Sequence, residues 1–120
     1  MYTKIAISAV LILSSVKGVL AETRSDFTTG GGLLKNCQSP DITLQQGCLG
    51  YIVGAVDGLT VSSVIAPSYP KNLKICIPDS VEQGQINYVI VKYLETYPEV
   101  LHLNAVFSIQ RVLNDVFPCE

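Results

Sequence analysis

Apolar residues recur at spacings of three and four over most of the chain, and polar or proline-bearing breaks divide the pattern into four helical segments. The first is short, around Gly32–Cys37. The turn "QSPD" follows, with Pro40 and Asp41 suited to opening a helix. The next segment, Ile42–Ile65, reads "ITLQQGCLGYIVGAVDGLTVSSVI" and is apolar nearly all round, which predicts the central, buried helix. "APSYPKNLK" then breaks the pattern, with Pro67 and Pro70 flanking an accessible Tyr69. A third helix is expected over Ser80–Glu95, with Ser80 and Gln83, or Asp79 and Glu82, as a capping box. Ile86, Val89, Ile90, Tyr93 and Tyr97 mark its apolar face, and Pro98 ends it, because the residue before a proline avoids helical angles. A last helix should open at a Thr96/Glu99 capping box and run to about Val116. Its polar stripe is Asn104, Ser108, Arg111 and Asp115, set against an apolar stripe of Val106, Ile109, Leu113 and Val116. No strand-like alternation persists elsewhere and no internal repeat is visible. The expected fold is all-α, a small bundle of about four helices.

The first twenty-one residues carry a different signal. Lys4 precedes an apolar run from Ile5 to Val16, and the stretch closes on Val19-Leu20-Ala21, the order of a secretory signal peptide cut after Ala21. An uncleaved anchor needs roughly 20 apolar residues, and Lys17 interrupts this run. The expected domains are therefore a signal peptide at 1–21 and one exported domain at 22–120. Without the leader, six basic side chains face ten acidic ones, a net charge of −4. An acidic domain lacks the basic footprint that nucleic acid or anionic lipid requires. No membrane insertion is expected after cleavage.

All four cysteines, Cys37, Cys48, Cys76 and Cys119, lie in the exported part, and an even count in a small exported domain reads as two disulfides. Zinc competes poorly, because no C-x-x-C pair occurs. The last two helices have similar lengths and a tight turn between them, so they should run antiparallel. That brings Cys76, just before the first, beside Cys119, just after the second. The same reasoning brings Cys37 near Cys48. Of three connectivities, Cys37–Cys48 with Cys76–Cys119 is the expected one. In the chain-entropy model such loops are worth about 3 and about 4 kcal/mol. The resulting reading is a disulfide-stapled helical bundle.

Reactive chemistry is sparse. The single histidine, His102, falls one turn before Val106, so a partly buried packing role outweighs that of a catalytic base. The cysteines are committed to bridges, and the run "TTGGGLLKN" lacks phosphate-binding spacing. Gly50, Gly54 and Gly58 share one helix face that lets another backbone approach, within the chain or between two copies, and both remain open. Asp57, on an otherwise apolar helix, needs a partner if buried, with Gln85, Lys92 and His102 as candidates. No enzyme, metal or cofactor is expected, and a binding protein fits better.

The series "LLKNC", "CLGYIVGAVDG", "ICIPDSVEQGQ", "YLETYPEVLH" and "VFPC" resembles the Rap/Tai-type immunity proteins, from about Phe27 to Cys119. Among the matched positions are Gly50, Tyr51, Gly54, Asp57, Gln85 and His102, read as fold-makers. Gly84 and the triple glycine before Leu33 depart from the pattern. The resemblance implies a periplasmic, all-helical, often dimeric protein. It would bind a cognate peptidoglycan amidase toxin delivered by type VI secretion and occlude its active-site cleft. The Pro67–Lys74 connection is the candidate inserted element, with Tyr69, Pro70, Lys71 and Asn72 as contact residues. An ordinary helix connection is the plainer account of that segment. The rival function is a small periplasmic acid-stress chaperone, which would expose apolar surface on acidification.

Overall fold

The computed structural model describes residues 29–120, so the expected signal peptide lies outside the described residues. Four helices follow in order: α1 (Gly30–Cys37), α2 (Ile42–Ile65), α3 (Gln83–Thr96) and α4 (Ala105–Val116). Single 3-10 turns at Lys71–Leu73 and Pro98–Val100 punctuate the connections. Among the described residues there is no strand, only isolated bridges between Thr29 and Asn104 and between Ile75 and Pro118. The all-α bundle is what the apolar spacing predicted, and its stapling is what the four cysteines predicted. Both disulfides join the expected pairs, Cys37–Cys48 and Cys76–Cys119.

Each helix start has a local cause. The Thr29 hydroxyl accepts from the Gly32 N–H at 3.1 Å, and the Asp41 carboxylate accepts from the Thr43 N–H at 2.8 Å. These contacts satisfy donors that a helix leaves orphaned at its first turn. The box that opens α3 is Glu82 with Gln85, two residues after the expected Ser80 box and three after the Asp79 one. α4 opens later still, at Ala105, where the Asn104 side chain accepts from the Val106 N–H at 3.1 Å. Thr96 does not cap it. Its hydroxyl instead donates back to the Lys92 carbonyl inside α3, and Pro98 begins a 3-10 turn.

The triple glycine has a packing reason. The Gly30 N–H donates to Leu103 O at 2.9 Å and the Gly31 N–H to Leu101 O at 2.8 Å, so α1 begins directly against the α3–α4 connection. A Cβ on Gly30 would stand 3.0 Å from a Leu94 methyl and 3.3 Å from Val100 O. Only glycine allows so close a backbone approach.

The core is assembled from all four helices: Leu33, then Cys48 and Ile52, then Ile86, Ile90 and Leu94, then Ala105, Ile109, Val112 and Leu113. α2 is not its centre, which corrects the expectation of a buried central helix. Only Cys48 and Ile52 of its 24 residues are buried, and Val61, Val64 and Ile65 are 53, 79 and 71% exposed. Length explains this. At about 1.5 Å per residue α2 runs roughly 36 Å, whereas its neighbours run roughly 12–21 Å and cannot sheathe it. By length and composition alone α2 could cross a membrane. Its first half is nevertheless part of the core and covalently tied to α1, and Asp57 stands in its middle.

Three further expectations fail for related reasons. Asp57 is exposed and needs no buried partner; among the described residues its carboxylate makes no hydrogen bond. His102 is exposed too, because it lies in the turn before α4 and not on the helix, so it shares no stripe with Val106. Ser108, assigned to a polar stripe, is only 4% exposed and packs inside.

Candidate functional site

The segment between α2 and α3 is built by its prolines. Pro67 holds Ala66 in an extended conformation, which ends α2, and the Ala66 N–H still donates to Ser62 O at 3.1 Å. The Tyr69 N–H turns back to Ala66 O at 3.1 Å, and the Leu73 N–H to Pro70 O at 3.0 Å. A compact hook results.

Side chains of α4 hold that hook in place. Gln110 Nε2 donates to the Tyr69 hydroxyl at 2.6 Å, and Asn114 Nδ2 donates to Lys74 O at 2.8 Å. These two residues stand one helical turn apart, so one face of α4 grips both ends of the segment. Beyond it the Cys76 N–H donates to Phe117 O at 2.9 Å, and the Cys76–Cys119 disulfide closes the join. Tyr69 is half-buried and engaged, while Pro70, Lys71 and Asn72 are exposed. The four residues singled out for partner contact thus form one structural unit with two roles. Tyr69 fastens the hook to α4, and the other three stand exposed on it.

A half-open groove of about 430 Å³ lies between the hook and α4. Leu73, Tyr93, Leu103 and Phe107 are among its apolar lining, and Ser108, Gln110, Asn114 and the oppositely charged Arg111 and Asp115 among its polar groups. Of the five basic residues from Thr29 onward (Lys35, Lys71, Lys74, Lys92 and Arg111), three belong to the hook or the groove. Sequence reasoning missed the groove. The available signal was the pair Gln110 and Asn114 at helical spacing, whose bonding partners lie some 40 residues earlier and are not readable from periodicity.

The other singled-out residues are not brought together into a site. Gln85 works in the α3 cap, where its side-chain oxygen accepts from the Glu82 N–H at 2.9 Å. Tyr51 is half-buried on α2, and burial pushes its phenol above the ordinary value of 10.0. Gly50, Gly54 and Gly58 face open space, since a Cβ at any of them would meet nothing within 4 Å. All four cysteines are consumed in disulfides. Among the described residues no group of three or more His, Cys, Asp or Glu side chains could hold a metal ion. Two disulfides and the Gln110 and Asn114 bonds hold the hook and the helices together.

Neither the search of curated proteins nor that of solved structures found a match. The family model of the Rap1a immunity proteins matches residues 29–119, which is all but the last of the described residues. Immunity proteins of this family act by binding a partner effector. This chain belongs to the Rap1a immunity protein family.

Proposed function

We propose that this protein is a periplasmic immunity protein that binds a peptidoglycan amidase delivered by type VI secretion and plugs its active-site cleft with the Pro67–Lys74 hook. The observation that carries this reading is the fastening of the hook at both ends by Gln110 and Asn114 while Pro70, Lys71 and Asn72 stay exposed. A loop ordered before binding loses little entropy on docking, so more of the contact energy appears as affinity. The protein does no chemistry itself, and it needs no cofactor. Export through the leader would place it where the amidase attacks the wall.

The outer face of α2 supports a homodimer within the same reading. A Cβ at Gly50, Gly54 or Gly58 would meet nothing within 4 Å among the described residues, and exposed Val53, Val61, Val64 and Ile65 accompany them. A second copy of α2 would cover that surface and approach closely at the glycines.

Purified protein titrated into a type VI amidase effector, with cleavage of peptidoglycan stem peptides as readout, tests the function. Stoichiometric inhibition is expected, lost in Lys71→Glu/Asn72→Arg and unaffected by His102→Ala. No inhibition of amidases, together with suppression of client aggregation at acid pH, would favour the chaperone reading, which the exposed end of α2 also suits.

A further inference from the structure

Among the described residues Ser108 Oγ is buried with no hydrogen-bond partner, and Ser108 lines the groove beneath the hook. A buried hydroxyl left without a partner costs about 1–3 kcal/mol, and an acceptor brought by a ligand would relieve that cost. Beside it, Gln110 and Asn114 spend their amide N–H groups on the hook, which leaves their side-chain oxygens as acceptors. Among the described residues those oxygens receive no hydrogen bond, and Arg111, exposed at the same rim, makes no ion pair.

We propose that this groove is a binding site for an extended peptide segment that presents a leucine- or phenylalanine-sized side chain next to an acidic one. The chemistry of the lining selects a peptide over a lipid chain. A peptide unit carries one N–H donor and one carbonyl acceptor; the carbonyl satisfies Ser108, and the N–H satisfies Gln110 or Asn114. An acyl chain offers neither along its length. The apolar side chain rests on Leu73, Leu103 and Phe107, in a space within the size range of ligand pockets. Phe107 is 65% exposed and Arg111 is also exposed; in the proposal both side chains swing aside as the segment reaches the buried Ser108 hydroxyl. The acidic neighbour pairs with Arg111. Asp115 at the same rim repels it, which orients the segment. For the identity of the partner this inference rests on the immunity reading: the segment belongs to the effector. The hook then enters the effector while the effector's own segment fills the groove behind the hook.

The test uses the disulfide-intact protein, labelled with nitrogen-15 and titrated with blocked pentapeptides that carry Leu-Asp, Phe-Asp or Ala-Lys at the centre. Leu-Asp and Phe-Asp peptides should shift the amides of Leu103, Phe107, Arg111 and Asn114 saturably, and bind at least about tenfold tighter than Ala-Lys, a factor expected from one buried hydrogen bond and apolar contact. Ser108→Ala should keep or raise the melting temperature while weakening the peptides about tenfold. Arg111→Gln should abolish the preference for Asp. Phe107→Ala, at an exposed position, should weaken binding without loss of fold. Absence of saturable shifts at millimolar peptide would overturn the proposal. So would full binding by Ser108→Ala, or shifts produced by dodecanoate but by no peptide. No effector enters this titration, so its failure leaves amidase inhibition standing, and a failed amidase assay leaves the groove to be judged on the peptides alone.

Discussion

α2 and α4 divide the work of the bundle unevenly. α2 is twice as long and nearly free of charge, yet only two of its 24 residues are buried. α4 has 12 residues, and Ala105, Ser108, Ile109, Val112 and Leu113 are all buried. Burial follows the sorting of apolar residues onto one side, and the supply of neighbours to cover that side, not the total of apolar residues. α4 has polar groups on its other side, and they became the clamp for the hook. α2 has an uncovered apolar flank, which is the surface we assign to a second copy.

The contrast can be broken at the staples first. Replacing Cys76 and Cys119 by serine releases the end of α4 and the hook together, and should cost about 4 kcal/mol. Chemical denaturation of the double variant measures it, and an unchanged midpoint would deny α4 its fastening role. Next comes packing. Ile109→Ala, at a fully buried site in α4, should cost about 3 kcal/mol. Val64→Ala, at a site in α2 that is 79% exposed, should change stability by less than about 0.5 kcal/mol. Equal losses would mean that α2 is covered in solution, which light scattering can attribute to a dimer.

Gly54→Ala sharpens the same point. With nothing within 4 Å of its Cβ, alanine should stabilise the monomer by about 1 kcal/mol through helix propensity. Gly54→Leu should fold as well and shift any dimer to monomer, read by sedimentation. The smallest effect concerns Tyr51. Because burial raises its folded pKa, the neutral phenol is the form the fold prefers. Its contribution to stability is present below about pH 10 and is lost as pH rises through the raised value. Tyr51→Phe should flatten that alkaline decline in a thermal-denaturation series.

The chain itself determined the number and kind of its elements. Apolar spacing, the proline breaks at 67, 70 and 98, and the capping residue Asp41 act over one or two turns, so local physics suffices to show that four helices form. The Asn104 cap, read along the chain as part of a polar stripe, moves the start of α4 to Ala105. The disulfide pairing was legible for a similar reason: an antiparallel pair with a short turn leaves Cys76 and Cys119 few other choices. Tertiary structure alone decided which surfaces are covered. Ser108 lies inside because α1, α2 and α3 all pack against α4, and α2 stays half bare because no neighbour is long enough to reach its end. Gln110 and Asn114 found their partners about forty residues upstream, a separation that no local pattern encodes. Burial depends on the whole set of neighbours, whereas helix formation depends on the next few residues, and that difference in range separates what could be read along the chain from what had to fold.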